Sequence, residues 1–334
     1  MAESSPVSAD TISTDILIVG AGPTGLYGAY CAGFRGLRTV LVDALPECGG
    51  QITALYPEKE IRDIAAVPGS RGRDVVAALK EQADAYDPAY LLGRQATGLS
   101  YSPDGRPRVV LSDGTVIDAG AVVLTAGIGT FTPRTLPAGE DFLDRGLSYF
   151  VPDPSEHTDR DVLVVGGGDS AVDWALALHP IARSVTLVHR RTGFRAHAAS
   201  VREVHESGID IVLNAQVTAL HGDDRLREAH LRIDGEDDPR ILKTDAVVAA
   251  LGFISNLGPL LEWGIELERR TIVVDTRMRT NLDRVYAAGD VTAYPGKIRL
   301  MSVGFGEVAT AISNAAVVID PSLPLFPGHS TDTT

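Results

Sequence analysis

Residues Asp15 to Asp43 constrain this chain more than any other stretch. Ile16 to Val19 is a short apolar run suited to a buried strand, and Gly20, Gly22 and Gly25 follow at Gly-x-Gly-x-x-Gly spacing. Leu26 to Phe34 is small and apolar, as a helix packed on a sheet must be, and Thr39 to Val42 reads as a second buried strand ending in an acid, Asp43. Glycines at that spacing permit a tight turn and a close approach of backbone to a pyrophosphate, whose charge sits at the helix N-terminus. An acid at the end of the second strand is placed to accept a hydrogen bond from a ribose hydroxyl. The stretch is a dinucleotide-binding unit; a glycine-rich turn in some other α/β protein is the alternative.

The same pattern returns at Asp161. Val162 to Val165 is a strand, Gly166 to Ala171 a Gly-x-Gly-x-x-Ala turn, Val172 to Leu178 a helix and Val185 to Val188 the next strand. Each copy carries a hairpin before its last strand, one at Val109–Ile117 around Asp113-Gly114 and one at Leu226–Leu242 around Gly235 to Asp238. The last strands are Ala121 to Thr125, running into Ala126-Gly127, and Asp245 to Val248, leading to Leu251-Gly252. An internal duplication of this kind predicts an α/β fold of two dinucleotide-binding domains. Expected boundaries are a disordered leader over 1–14, a discontinuous first domain of 15–127 and 256–334, and a second domain of 128–255.

The copies differ at the end of the second strand. The first ends in Asp43, the second in His189-Arg190-Arg191 with Arg195 close behind. An acid suits a free 2′-hydroxyl and guanidinium groups suit a 2′-phosphate, so the first site is assigned to FAD and the second to NADP. A solvated basic turn is the competing reading. NADP-binding residues are then Gly166, Gly168, Asp169, Ser170, Ala171, His189, Arg190 and Arg191. Between the copies, Cys48 to Pro57 reads as a loop with an exposed aromatic, Tyr56, and Asp74 to Tyr86 as an amphipathic helix. Late in the chain Arg284 to Ala288 is a strand running into Gly289-Asp290, and Val303 to Glu307 opens a small-residue helix, Val308 to Val318. Its N-terminus would direct partial positive charge at a flavin carbonyl.

With 30 basic and 44 acidic residues the net charge is −14, which argues against general nucleic-acid binding. The first 14 residues lack a basic, apolar signal-peptide pattern, and no run approaches the roughly 18–20 apolar residues of a membrane span. A cytoplasmic protein is expected. Its two cysteines, Cys31 and Cys48, form no Cys-x-x-Cys pair. Cys31 falls in the first helix as a packing residue, and Cys48, beside Gly49-Gly50, reads as inert. No metal ligand set is expected.

Five stretches carry a resemblance: Gly49-Gly50-Gln51 with Ala54-Leu55-Tyr56-Pro57-Glu58-Lys59, Gly166 to Trp174, His189-Arg190-Arg191, Ala287-Ala288-Gly289-Asp290, and the proline-rich tail bearing His329. Together the chain resembles the two-domain flavoproteins of thioredoxin reductase type, built of Rossmann-like three-layer ββα modules. Within them it is most similar to the thioredoxin-reductase-like ferredoxin–NADP+ reductases of bacteria. Thioredoxin reductases carry a redox Cys-x-x-Cys after a Ser-Tyr pair. Here Ser148-Tyr149 precedes Phe150-Val151-Pro152-Asp153, which cannot exchange dithiols.

The resemblance implies FAD held by Gly20, Gly22, Pro23, Thr24, Gly25, Asp43, Gln51, Tyr56, Ala126, Gly127, Phe131, Asp290 and Val291. It implies Tyr56 stacked on one face of the flavin and His329, from the second subunit of a homodimer, on the other, with Ser330 a further contact. No acid–base residue is required. Ferredoxin, or flavodoxin, is the implied partner. Since such carriers are acidic, docking calls for a local basic patch, with Arg62, Arg71, Arg73, Arg277, Arg279, Arg284, Lys297 and Arg299 as candidates. Another NAD(P)H-dependent flavin reductase or diaphorase, or a non-catalytic redox sensor, remains open at this point.

Overall fold

The computed structural model describes residues 11–329 and 331. The chain divides into two units: one runs to Thr130 and resumes at Ser255, and the other is Phe131–Ile254.

In the first unit five parallel strands lie in the order Ala89–Leu92, Thr39–Asp43, Thr11–Val19, Val116–Leu124, Val285–Ala287. Thr11 pairs with Val116 and Val19 with Leu124, so the first strand begins inside the expected leader. Polar composition hid this: Thr14 is buried and its hydroxyl donates to the Arg38 carbonyl at 2.8 Å. The expected hairpin forms, with Val109 opposite Ile117, but its second arm does not stop there. Val116–Leu124 is one nine-residue strand whose last three residues take Val285–Ala287 as a partner. Ala96–Tyr101 adds a further antiparallel strand beyond Pro107–Leu111.

Two helices cover this sheet in close contact. Pro23–Phe34 has proline in its first turn, where a missing N–H costs nothing. Met301–Ile319 packs on it so tightly that a Cβ at Gly28 would lie 2.7 Å from Val308 Cγ2. The latter helix begins at Met301, earlier than expected. By length and composition it could cross a membrane, contrary to the expectation that no stretch could. In the fold Val308, Ala311, Ile312, Ala315 and Ala316 are buried on the core, so its apolarity is used in packing.

The second unit repeats the plan. Leu147–Ser148, Ala246–Ala249, Asp161–Val165, Ser184–His189 and Asp210–Leu213 form an all-parallel sheet in that order. A separate antiparallel sheet joins Ala215–Gly222, Leu226–Ile233 and Arg240–Lys243. Continuous apolar runs in the parallel strands follow from burial on both faces. Val162 and Val164 pack with Val172, Ala175 and Val204 of the helices. Leu163 and Val165 pack with Val217, Ala229 and Leu231 of the antiparallel sheet. Side chains that alternate along a strand thus build two cores, giving three layers.

Candidate functional site

In the first unit the glycine turn is fixed by contact. Gly20 has φ +115°, and a Cβ there would sit 2.4 Å from the Thr125 carbonyl oxygen. A Cβ at Gly25 would lie 1.8 Å from the Gly20 carbonyl oxygen. Thr125 Oγ1 donates to that same oxygen at 2.7 Å, a contact the sequence did not single out. Gly22 caps the Pro23–Phe34 helix without a side-chain cap, leaving the first-turn N–H groups for an anion. Asp43 accepts from the Ala21 N–H at 2.7 Å and the Leu45 N–H at 2.9 Å. Burial nevertheless raises its pKa. Each oxygen retains acceptor capacity for a ribose hydroxyl.

Gly49-Gly50-Gln51 is drawn onto this turn, with the Gly49 N–H on the Ala21 carbonyl at 2.9 Å. The segment after it is not the expected loop. Gln51–Leu55 is a short helix entered through Gly50 at φ +58°, and Gln51 Nε2 points beside Gly127. Tyr56 ends that helix half-buried rather than exposed, with its pKa pushed up to about 12 by burial and then by Asp290 and Asp63. The structure therefore brings Tyr56 and Asp290 to one place.

Asp290 follows Gly289, at φ +84°, and burial raises its carboxyl while Lys297 and Arg299 pull it down. Beneath it lies a network the sequence did not reveal. Glu307 Oε2 accepts from the Gly289 N–H at 2.7 Å; Glu307 Oε1 pairs with Lys297 Nζ at 2.5 Å and also accepts from the Tyr294 hydroxyl. A lone acid in an apolar helix was the available signal. Val291 is buried, its carbonyl accepting from Ile272 N at 2.7 Å. The Phe131 side chain and Ser330 lie outside the described residues.

His329 is exposed, its ring edge-on to Phe326 at 5.1 Å. Arg35, at the C-terminal end of the Pro23–Phe34 helix, holds this tail by donating to the Pro324 and Leu325 carbonyls at 2.6 and 3.1 Å. Of the basic candidates, Lys297 is buried, Arg62 pairs with Glu60, Arg71 and Arg73 with Glu58, and Arg279 reaches Asp283. Arg284 Nη1 donates to the Gly120 carbonyl.

In the second unit Gly166 meets the Ala250 carbonyl, where a Cβ would stand at 2.3 Å. Gly168 faces open space at the start of the Asp169–Leu178 helix. Asp169 Oδ1 accepts from the His197 N–H at 2.8 Å and the Gly167 carbonyl from Arg195 N at 2.7 Å, tying the basic loop to the turn. His189 is buried, its ring against Gly167 and stacked on Phe194 at 5.4 Å. Burial lowers its pKa, the hydrogen bond to the Gly193 carbonyl opposes this, and the three neighbouring arginines add to the lowering. It supports the turn and also lines the cleft beside it. Arg190 and Arg191 are exposed and line a cleft of about 750 Å3 with Gly166 to Ser170. Ala171 is buried beneath the turn.

Where a dithiol would stand, the Tyr149 hydroxyl accepts from Leu136 N at 3.1 Å and Phe150 stacks on Phe253 at 5.5 Å. Burial pushes the Cys31 thiol up to about 12 and raises that of Cys48. Among the described residues no cluster could hold a metal ion.

Two glycine turns at the ends of parallel sheets, one facing an acid and one facing arginines, define a two-nucleotide redox scaffold. The profile of pyridine nucleotide-disulphide oxidoreductases matches residues 14–315, and the chain belongs to that family. It is 59% identical over 318 residues, 95% of its length and 98% of the relative, to the ferredoxin–NADP reductase of Salinispora arenicola. Against the protein of that name from Thermus thermophilus identity is 45%, covering 96% and 97% of the two chains. The structure matches T. acidophilum thioredoxin reductase with a TM-score of 0.79 at 25% identity, over 93% and 99% of the chains. The fold is thus of thioredoxin reductase type, and the family's cofactors are FAD and NADP(H).

Proposed function

We propose that this protein is a ferredoxin–NADP+ reductase that works in the cytoplasm as a homodimer, free of membrane and nucleic acid. The observation that carries the reading is the pair of glycine turns with opposite strand-end charge, combined with aromatic packing where a dithiol would stand. When bound, FAD exchanges a hydride with NADPH and single electrons with an iron–sulfur carrier.

The chain's own residues position the reactants. Gly20 to Gly25 leave the helix N–H groups for the FAD pyrophosphate, and Asp43 accepts from its ribose. Gln51, Ala126, Gly127, Asp290 and Val291 would surround the flavin, and Tyr56 would supply an aromatic face for it to stack on. Gly166 to Ser170 take the NADP pyrophosphate and Arg190 with Arg191 its 2′-phosphate. His329 covers the other flavin face from a second subunit. Its tail is anchored at Arg35, at the C-terminal end of the 12-residue helix whose N-terminus carries the glycine turn.

The test is anaerobic NADPH titration of the purified yellow protein, followed by cytochrome c reduction with and without ferredoxin. Flavin bleaching and ferredoxin-dependent reduction are expected. Reduction that does not depend on added ferredoxin or flavodoxin would overturn the reading in favour of a diaphorase.

A further inference from the structure

Arg190 and Arg191 account for one wall of the cleft in the second unit. The lining of the same cleft holds a further cation, Arg134, with Thr135, Leu136 and Pro137. Its backbone N–H donates to the Gly252 carbonyl at 2.9 Å, which fixes it beyond the end of strand Ala246–Ala249. That strand and Ser184–His189 flank Asp161–Val165 on opposite sides. Arg134 and Arg190 therefore follow strands on opposite sides of Asp161–Val165, the strand that runs into the Gly166–Ser170 turn. Arg134 is exposed, and among the described residues it has no carboxylate partner. In a chain of net charge −14, an uncompensated guanidinium in a cleft points to an anionic ligand.

A dinucleotide whose 2′-phosphate lies on Arg190 and Arg191 and whose pyrophosphate crosses the glycine turn must send its nicotinamide half toward Gly252. We infer that Arg134 is a second nucleotide-binding residue, gripping the nicotinamide-side phosphate and ribose of NADP. The inference rests on the 2′-phosphate placement given above. It separates two roles: Arg190 and Arg191 discriminate NADP from NAD, whereas Arg134 holds the part both share. A planar guanidinium suits the phosphate, since it offers two parallel donors.

The experiment measures Kd on the FAD-loaded protein for NADP+ and for 2′,5′-ADP, which lacks the nicotinamide half. Arg134→Ala is expected to weaken NADP+ about tenfold or more while leaving 2′,5′-ADP unchanged, with partial recovery in Arg134→Lys. Arg190→Ala should weaken both ligands. Unaltered 2′,5′-ADP binding doubles as the check that Arg134→Ala is folded. Full NADP+ affinity in Arg134→Ala, or an equal loss for both ligands, overturns the inference. Failure of the 2′-phosphate placement reads differently: Arg190→Ala would then keep full 2′,5′-ADP affinity.

Discussion

Lys297 and Glu307 form an ion pair of 2.5 Å with both side chains more than nine-tenths buried, and between them they hold both polar groups of the Gly289 peptide. The Glu307 carboxylate takes the N–H and the Lys297 ammonium takes the carbonyl, so the turn that presents Asp290 is clamped from below. Removing one partner of a buried pair strands the other charge and costs about 3–5 kcal/mol. Lys297→Met should therefore lower the urea midpoint and release FAD on gel filtration. Wild-type stability in that variant would show that the pair does not hold the turn.

The glycines divide into two kinds. At Gly25 a Cβ would strike the Gly20 carbonyl, so Gly25→Ala should leave the protein without FAD. At Gly168 nothing lies within 4 Å and φ is −100°, so alanine fits the fold. Gly168→Ala should unfold within about 0.5 kcal/mol of wild type yet bind NADP+ less well, since the added methyl enters the space of the phosphates. Calorimetry on both variants checks the contrast.

His157 is buried with Nδ1 unpartnered, and burial, then Arg160, lowers its pKa against the pull of Glu156. A depressed histidine is neutral when folded and takes a proton on unfolding. The unfolded state therefore binds more protons below its own pKa of about 6.5, and stability falls as pH drops through that value. The slope is at most about 1.4 kcal/mol per pH unit for one proton. Urea melts at pH 7.5 and 5.5 should show this loss, and His157→Phe should reduce it. A variant with the wild-type pH dependence would assign the loss elsewhere, His189 being next.

Arg190→Ala and Arg191→Ala each remove charge-assisted hydrogen bonds to the 2′-phosphate. Each should raise the Kd for NADPH about tenfold to a hundredfold and leave that for NADH nearly unchanged. Parallel losses for both nucleotides would place the 2′-phosphate elsewhere.

Neither thiol takes part in catalysis on this reading. The Cys31→Ala/Cys48→Ala double variant should keep its ferredoxin-dependent rate within about twofold of wild type. A loss of tenfold or more, with FAD retained, would require a thiol step.

The sequence made the duplicated architecture plain because strand, glycine turn, helix and charged strand end are local signals that repeat. Asp43, Arg190 and Arg191 stand where that pattern put them. What escaped it depended on pairing between distant segments. Thr11 to Thr14 look like leader until Val116–Ala119 lies beside them. Lys297 reads as a surface cation until Glu307, ten positions on, meets it in the core. His189 stands next to Arg190 in sequence, but strand alternation turns its ring inward onto Gly167 and Phe194.

The two units also differ in how they can come into being. Phe131–Ile254 is continuous, whereas the first unit lacks Val285–Ala287 and Met301–Ile319 until the ribosome has made everything before them. Synthesis from the N-terminus lets a continuous domain close as soon as it emerges. The continuous unit can thus fold while the sheet of the other still has an open edge at Val122–Leu124. Gly289, Asp290 and their clamp at Glu307 arrive near the end. A chain cut short before Met301 would contain every residue of the continuous unit and lack the helix that packs on Pro23–Phe34 in the other.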